Sequence, residues 1–173
     1  IQELGLFVLQ QACAQAVVWQ GSGHALRIAV NISAMQCKQG DLPALVRQVL
    51  QETGLAAQSL ELELTESVLI DDTDLVKQQM QQLAALGVHF AIDDFGTGYS
   101  NLGYLSQFQL SSLKIDRSFV GRISHDGKDL ALVKGIIQLA DSLGLHTVAE
   151  GVEDQQSLVL LQQAGCHYAQ GYL

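Results

Sequence analysis

Five polar residues recur along the chain at intervals of about one βα unit. Asn31, Glu63, Asp93, Asp116 and Glu150 are separated by 32, 30, 23 and 34 residues, and each falls near the C-terminal end of a different predicted strand. Asp93 is followed directly by Asp94 in the stretch AIDDFGTGYS, residues 91–100. Acidic groups gathered in one place repel each other unless they are protonated or hold cations. A ligand set made only of oxygen suits hard divalent ions, Mg²⁺ or Mn²⁺. Two such ions close together need a bridging carboxylate, which the aspartate pair can supply, and ion pairs of this kind activate water and stabilise leaving oxygens in phosphoryl transfer. Each residue alone has a plainer reading: DD before a glycine as a turn, Asn31 as a strand-end hydrogen-bonder, Glu150 as a solvated charge. Their recurrence at successive strand ends favours the metal reading.

Alternating elements must position these residues. Apolar positions at helical spacing (Leu6, Leu9, Cys13, Ala16, Val17) predict a helix over 3–19, broken by the GSG at 21–23. ALRIAVNIS then reads as a strand. Asp41 caps a helix with Pro43 in its first turn, running to Thr53 and ended by Gly54. LELELT alternates with strict period two. Further helices are predicted over 74–86, 128–143 and 154–164, with a short turn-helix at Leu102–Leu105. Strands are predicted at VHFAIDDFG, SSLKID, HTVAEGV and CHYAQGYL. Six strands separated by helical segments imply a mainly parallel sheet with crossovers. An open doubly wound sheet would concentrate function at one switch point, and no GxGxxG or GxxxxGK[ST] loop is present. Polar residues at many strand ends favour a closed barrel, whose active site draws on several strands at their C-terminal ends. Side-chain parity agrees: Glu61, Glu63 and Thr65 share one face against the leucines, and Ala29, Asn31 and Ser33 oppose Val30 and Ile32.

Composition sets the remaining bounds. The 173 residues suit one domain with a packed core, at 48% hydrophobic residues and a mean hydropathy of +0.20. A formal net charge of −9, with nine scattered basic residues, argues against DNA or an anionic membrane surface as a partner of the domain. Cys13, Cys37 and Cys166 show no CxxC spacing and read as reduced cysteines of a cytoplasmic protein. The five histidines form no HxxxH or HExxH pair. No apolar run reaches the ~18 residues of a membrane span.

The motifs AVNIS (29–33), ELTES (63–67), DDFGTGYSNLGYL (93–105), LKIDRSFV (113–120), AEGVE (149–153) and AQGYL (169–173) together resemble the EAL-domain phosphodiesterases of cyclic di-GMP. The resemblance covers nearly the whole chain, in family order. It implies a TIM-like (β/α) barrel of the EAL type, with the chain a partial domain that is incomplete at the N-terminus and the C-terminus. It implies two ions, Mg²⁺ or Mn²⁺, with Asn31, Glu63 and Asp93 as ligands of the first and Asp93 bridging to the second. Asp94 and Glu150 are implied at the second metal or its water, with Glu150 also a general base. Lys114 is implied beside the water or phosphate; its plainer role is a salt bridge to Glu61 or Asp116. Asp116 would order the metal-water network, or simply cap a strand end. Gln170 resembles a glutamine that contacts a guanine, and Glu66 one that tethers the DDFGTG loop.

The implied reaction is hydrolysis of one 3′–5′ phosphodiester bond of cyclic di-GMP by a metal-activated water, giving linear pGpG. The alternative is a degenerate EAL domain that binds cyclic di-GMP without cleaving it. Family likeness further implies a homodimer through the 95–105 loop and helix, and fusion to upstream sensory or GGDEF domains, through which a cytoplasmic domain can be membrane-anchored. The Glu-Ala-Leu motif itself is not in these 173 residues, and Glu3 belongs to the helix that follows it. The chain alone is therefore expected to hold metal weakly.

Overall fold

The structure, a computed structural model, describes residues 2–39, 41–71, 73–98, 102–105, 107–124 and 127–173. It is an α/β chain with six β-strands among the described residues, and it divides into two compact units: Ile1–Phe90 with Gly103–Gln109, and Ala91–Leu102 with Leu110–Leu173.

In the first unit, α1 (Gln2–Gly21) leads into β1 (Ile28–Ile32) and the short α2 (Ala34–Gln39). α3 (Leu42–Thr53) starts where the sequence signals predict: the Asp41 side chain accepts a hydrogen bond from the Ala44 N–H, and Gly54 closes the helix in the left-handed conformation. β2 (Leu60–Thr65), α4 (Glu66–Asp71) and α5 (Thr73–Leu86) follow. β1 and β2 are parallel, with Val30 opposite Leu62 and Asn31 opposite Glu63. Their alternation buries Val30, Ile32, Leu60, Leu62 and Leu64. Leu9, Cys13 and Ala16 of α1, Val46 and Val49 of α3, and Val76, Met80 and Leu83 of α5 complete this core. Burial pushes the Cys13 and Cys37 thiols up to about 11, so both stay protonated and inert. Cys166 is half-buried, less enclosed than the other two.

The second unit takes over within β3 (His89–Phe95). The α6 turn-helix spans Leu102–Leu105, as predicted. β4 (Ser112–Ile115), α7 (Arg117–Val120), α8 (Gly127–Ser142), β5 (His146–Glu150), α9 (Gln155–Gln163) and β6 (Tyr168–Gln170) follow. β3 to β6 pair in parallel, each with the next in the chain. Leu113, Ile115, Ala149, Val133, Ile137 and Ala140 are fully buried where α8 packs on β4 and β5. Among the described residues, no helix is long and apolar enough to cross a membrane.

Candidate metal and active site

The first unit presents two of the expected ligands side by side. Parity along β1 leaves Asn31 on the exposed face, opposite Glu63 of β2, which is 8% exposed. Strands paired in this way run about 5 Å apart, so an amide and a carboxylate stand on adjacent strands. On the same face, toward the strand starts, Arg27 donates to Glu61 at 3.1 Å and its other terminal nitrogen lies 3.2 Å from His89 Nε2. Glu61 therefore has Arg27 as a cation partner.

The second unit holds the acidic cluster. Ile92 pairs with Leu113 and Phe95 with Ile115, so two residues of β3, Asp93 and Asp94, face the single residue Lys114 of β4. This is a β-bulge, which re-aims side chains at the place where it occurs. Simple alternation would send Asp93 and Asp94 to opposite faces. Instead Asp94 takes φ of 53°, a left-handed conformation that aspartate tolerates better than most residues. The Thr97 N–H and hydroxyl donate to the Asp94 carbonyl at 3.4 and 2.9 Å and hold that turn. One carboxylate oxygen each from Asp93, Asp94 and Glu150 then lies within 4.8 Å of the others.

Lys114 sits inside this cluster and is 6% exposed. Its Nζ is 3.0 Å from Asp93 Oδ1 and 2.8 Å from Glu150 Oε1. Burying an ammonium is costly unless it is paired, and these carboxylates supply the pairing. Asp116 accepts the Ser118 N–H at 2.9 Å and caps α7, so its plainer role is a helix cap and not a strand-end cap. It also hydrogen-bonds Asp94. Partial loss of hydration, then the negative charges of Asp93, Asp116 and Glu150, hold the Asp94 carboxyl above its ordinary range. Asp116 goes the other way: desolvation pushes it up, but hydrogen bonds from the Ser118 hydroxyl and N–H, from Asp94 and from the Arg117 N–H outweigh that and lower it. Oxygen donors converging under mutual repulsion are a fit environment for a hard divalent cation.

Gln170 ends β6 in register with Glu150 and is exposed. Glu66 opens α4 at 8% exposure, and neither carboxylate oxygen has a hydrogen-bond partner among the described residues. Residues 99–101 of the expected 95–105 dimer segment lie outside the described residues. Sequence reading missed the bulge. Its trace was available: two consecutive acidic residues cannot both reach one site from a regular strand.

Parallel strands joined by helices, with carboxylates and a buried lysine at strand ends, place the chain in the class of TIM-like α/β barrel proteins. The profile of one family, the EAL domain, matches residues 1–173. The chain belongs to the EAL domain family. Its sequence is 44% identical over 174 residues to the bifunctional diguanylate cyclase/cyclic di-GMP phosphodiesterase MucR of Pseudomonas aeruginosa, covering 100% of this chain and 25% of that protein. The cyclic di-GMP phosphodiesterase NbdA of the same organism is 42% identical, with 100% and 22% covered. The solved MucR phosphodiesterase in complex with cyclic di-GMP superposes with a TM-score of 0.96 over 100% of this chain and 70% of that one, at 44% identity. A manganese and cyclic di-GMP complex of Klebsiella pneumoniae BlrP1 gives a TM-score of 0.87 at 30% identity, covering 98% of this chain and 43% of that one. Six strands lie among the described residues, whereas a complete TIM barrel has eight. The chain spans about a fifth to a quarter of the length of the curated relatives it matches.

Proposed function

We propose that these residues form part of one EAL domain that hydrolyses cyclic di-GMP to linear pGpG. The observation that carries the reading is the convergence of Asp93, Asp94 and Glu150 around a bulge, with Lys114 buried among them. Support also comes from relatives at 42 and 44% identity that are named as cyclic di-GMP phosphodiesterases.

Asp93, Asp94 and Glu150 would hold divalent cations, with Asp93 shared between two, and Asn31 and Glu63 would supply further ligand oxygens. Mg²⁺ or Mn²⁺ bound there supplies Lewis-acid polarisation of the phosphate and lowers the pKa of water. Glu150 Oε1 accepts the proton of the attacking water as its oxygen bonds to phosphorus and the P–O3′ bond breaks. The 3′ oxygen leaves and is protonated, giving a linear dinucleotide with one 5′-phosphate. The Lys114 ammonium, already 2.8 Å from Glu150, keeps that carboxylate in place and faces the charge developing on the phosphoryl oxygens. Asp116 holds Asp94 through their hydrogen bond. Gln170, at the adjacent strand end, offers an amide to a guanine edge.

The remaining parts of the reading concern the whole protein. It is cytoplasmic at this domain, fused to sensory or GGDEF domains, and paired as a homodimer through the 95–105 segment. The non-catalytic receptor alternative is disfavoured, because every acidic position of the ELTE and DDFGTG motifs is retained. The test is direct: purified full-length protein is incubated with cyclic di-GMP and Mg²⁺ or Mn²⁺, and products are separated by chromatography. pGpG formed by the wild type and not by Asp93→Asn supports the reading. Absence of pGpG from folded, metal-loaded protein, or full activity in Asp93→Asn, refutes it.

A further inference from the structure

Two glycines stand directly after the side chains that the proposed reaction uses, and each is pressed against a neighbouring strand end. Gly151 follows Glu150 and has φ of +69°. A Cβ built on it would lie 2.7 Å from the Arg117 Cβ and 3.5 Å from the Arg117 Cα. Arg117 is the residue after Asp116, and α7, which it opens, packs on β5. Gly171 follows Gln170 and is not in the left-handed region, so its need is steric alone: a Cβ there would collide with the Val152 peptide, both carbonyl oxygen and nitrogen. At the same place the Val152 N–H donates to the Gln170 carbonyl at 3.1 Å. Gly144 has the same backbone conformation as Gly151, φ of +71°, but nothing lies within 4 Å of a Cβ built there. Left-handed backbone alone therefore does not account for the contacts at 151 and 171.

We propose that Gly151 and Gly171 are positioning residues that clamp the C-terminal ends of β4, β5 and β6 together. Gly151 seats the end of β5 on the stem of Arg117 and so sets where the Glu150 carboxylate lies relative to Asp116 and Asp94. Gly171 seats the end of β6 on the Val152 peptide and sets the reach of Gln170 from Glu150. A methyl group at either position must push one strand end away, because the obstacle is backbone or a Cβ and not the far end of a flexible side chain. The two displacements have different consequences. Moving Glu150 disturbs a cation ligand, whereas moving Gln170 disturbs a group that would read substrate. The substrate arm rests on the phosphodiesterase reading; the metal and strand-end arms do not.

The experiment compares wild type, Gly151→Ala, Gly171→Ala and Gly144→Ala in the full-length protein. Mn²⁺ affinity is measured without substrate, KM and kcat with cyclic di-GMP, Tm by calorimetry, and amide exchange at Val152. Gly151→Ala is expected to weaken Mn²⁺ binding about tenfold, the scale on which residues that orient ligands act. Adding Arg117→Gly, which removes the opposing Cβ, restores it. Gly171→Ala is expected to raise KM about tenfold with kcat within about twofold, the mark of lost uniform binding, and to speed exchange at the Val152 N–H. Gly144→Ala lowers Tm without moving either constant. The proposal is overturned if Gly151→Ala and Gly171→Ala behave as Gly144→Ala does, with Mn²⁺ affinity, KM and Val152 exchange unchanged. Wild-type protein that never cleaves cyclic di-GMP refutes the phosphodiesterase reading, while Mn²⁺ affinity and Val152 exchange still decide for the two glycines.

Discussion

Replacing Lys114 by Met keeps most of the buried stem and deletes the charge. Nζ lies 3.0 Å from Asp93 and 2.8 Å from Glu150, and the lysine side chain is 7% exposed. At an effective permittivity of about 20, each contact carries roughly 5–6 kcal/mol of Coulomb attraction. Desolvation of the three groups offsets much of it. The net loss on removing one partner of a buried ion pair runs about 3–5 kcal/mol, because the other charge is left uncompensated. Here two carboxylates are left. In a chain of this size each kcal/mol moves Tm by about 2–4 °C, so Lys114→Met is expected to lower Tm by about 10 °C in EDTA. In Mn²⁺ the loss should be much smaller, since a cation held by Asp93, Asp94 and Glu150 neutralises the same oxygens. Calorimetric scans of both proteins with and without Mn²⁺ measure the difference. A fall in Tm below about 2 °C in EDTA would show that the ion pairs contribute little, as exposed pairs do. An equal fall with and without Mn²⁺ would refute the idea that ammonium and metal serve the same carboxylates.

Glu66→Gln removes a buried charge that has no hydrogen-bond partner among the described residues. Since a buried unsatisfied polar group costs about 1–3 kcal/mol, and more when charged, the variant should melt at the same or a higher temperature than wild type; a clear drop in Tm would reveal a partner for the carboxylate. His89 titrates below the ordinary histidine range, through desolvation first and then Arg27, with Glu61 opposing. The unfolded chain therefore takes up this proton first as pH falls below about 6.5, and stability present above that pH is lost toward the folded pKa. His89→Gln should flatten urea-measured stability between pH 7 and 5, and an unchanged slope would dismiss the residue as its source. Asp41→Ala should cost about 1 kcal/mol through the lost cap of α3, read as a shift of the urea midpoint; no shift would mean that the 3.0 Å bond to the Ala44 N–H contributes nothing net.

Local rules made some elements legible to the residue and left others invisible, and the difference is physical. LELELT became β2 at Leu60–Thr65 because strict alternation admits one period only. α3 was delimited by a capping aspartate, an early proline and a left-handed glycine, each of which acts on the backbone locally. α2, α4 and α7 were missed: at four to six residues they are too short to show a 3.6-residue period, and the equally short α6 was read only as a turn-helix. α7 shows the cost of that blindness, since Asp116 was read for metal chemistry while its side chain also caps the helix. The site divides along the same line. Which residues end strands could be read from spacing, but which of them meet could not. Register puts Val148, not Glu150, opposite Lys114; the ion pair forms because a long ammonium side chain reaches two residues along the next strand. The bulge at Asp93 and Asp94 is a further step removed from sequence pattern, because it breaks the very alternation by which strands are recognised. The local irregularity and the functional demand coincide there: a regular β3 could present only one of the two aspartates to a cation, and the left-handed turn at Asp94 is what brings in the second.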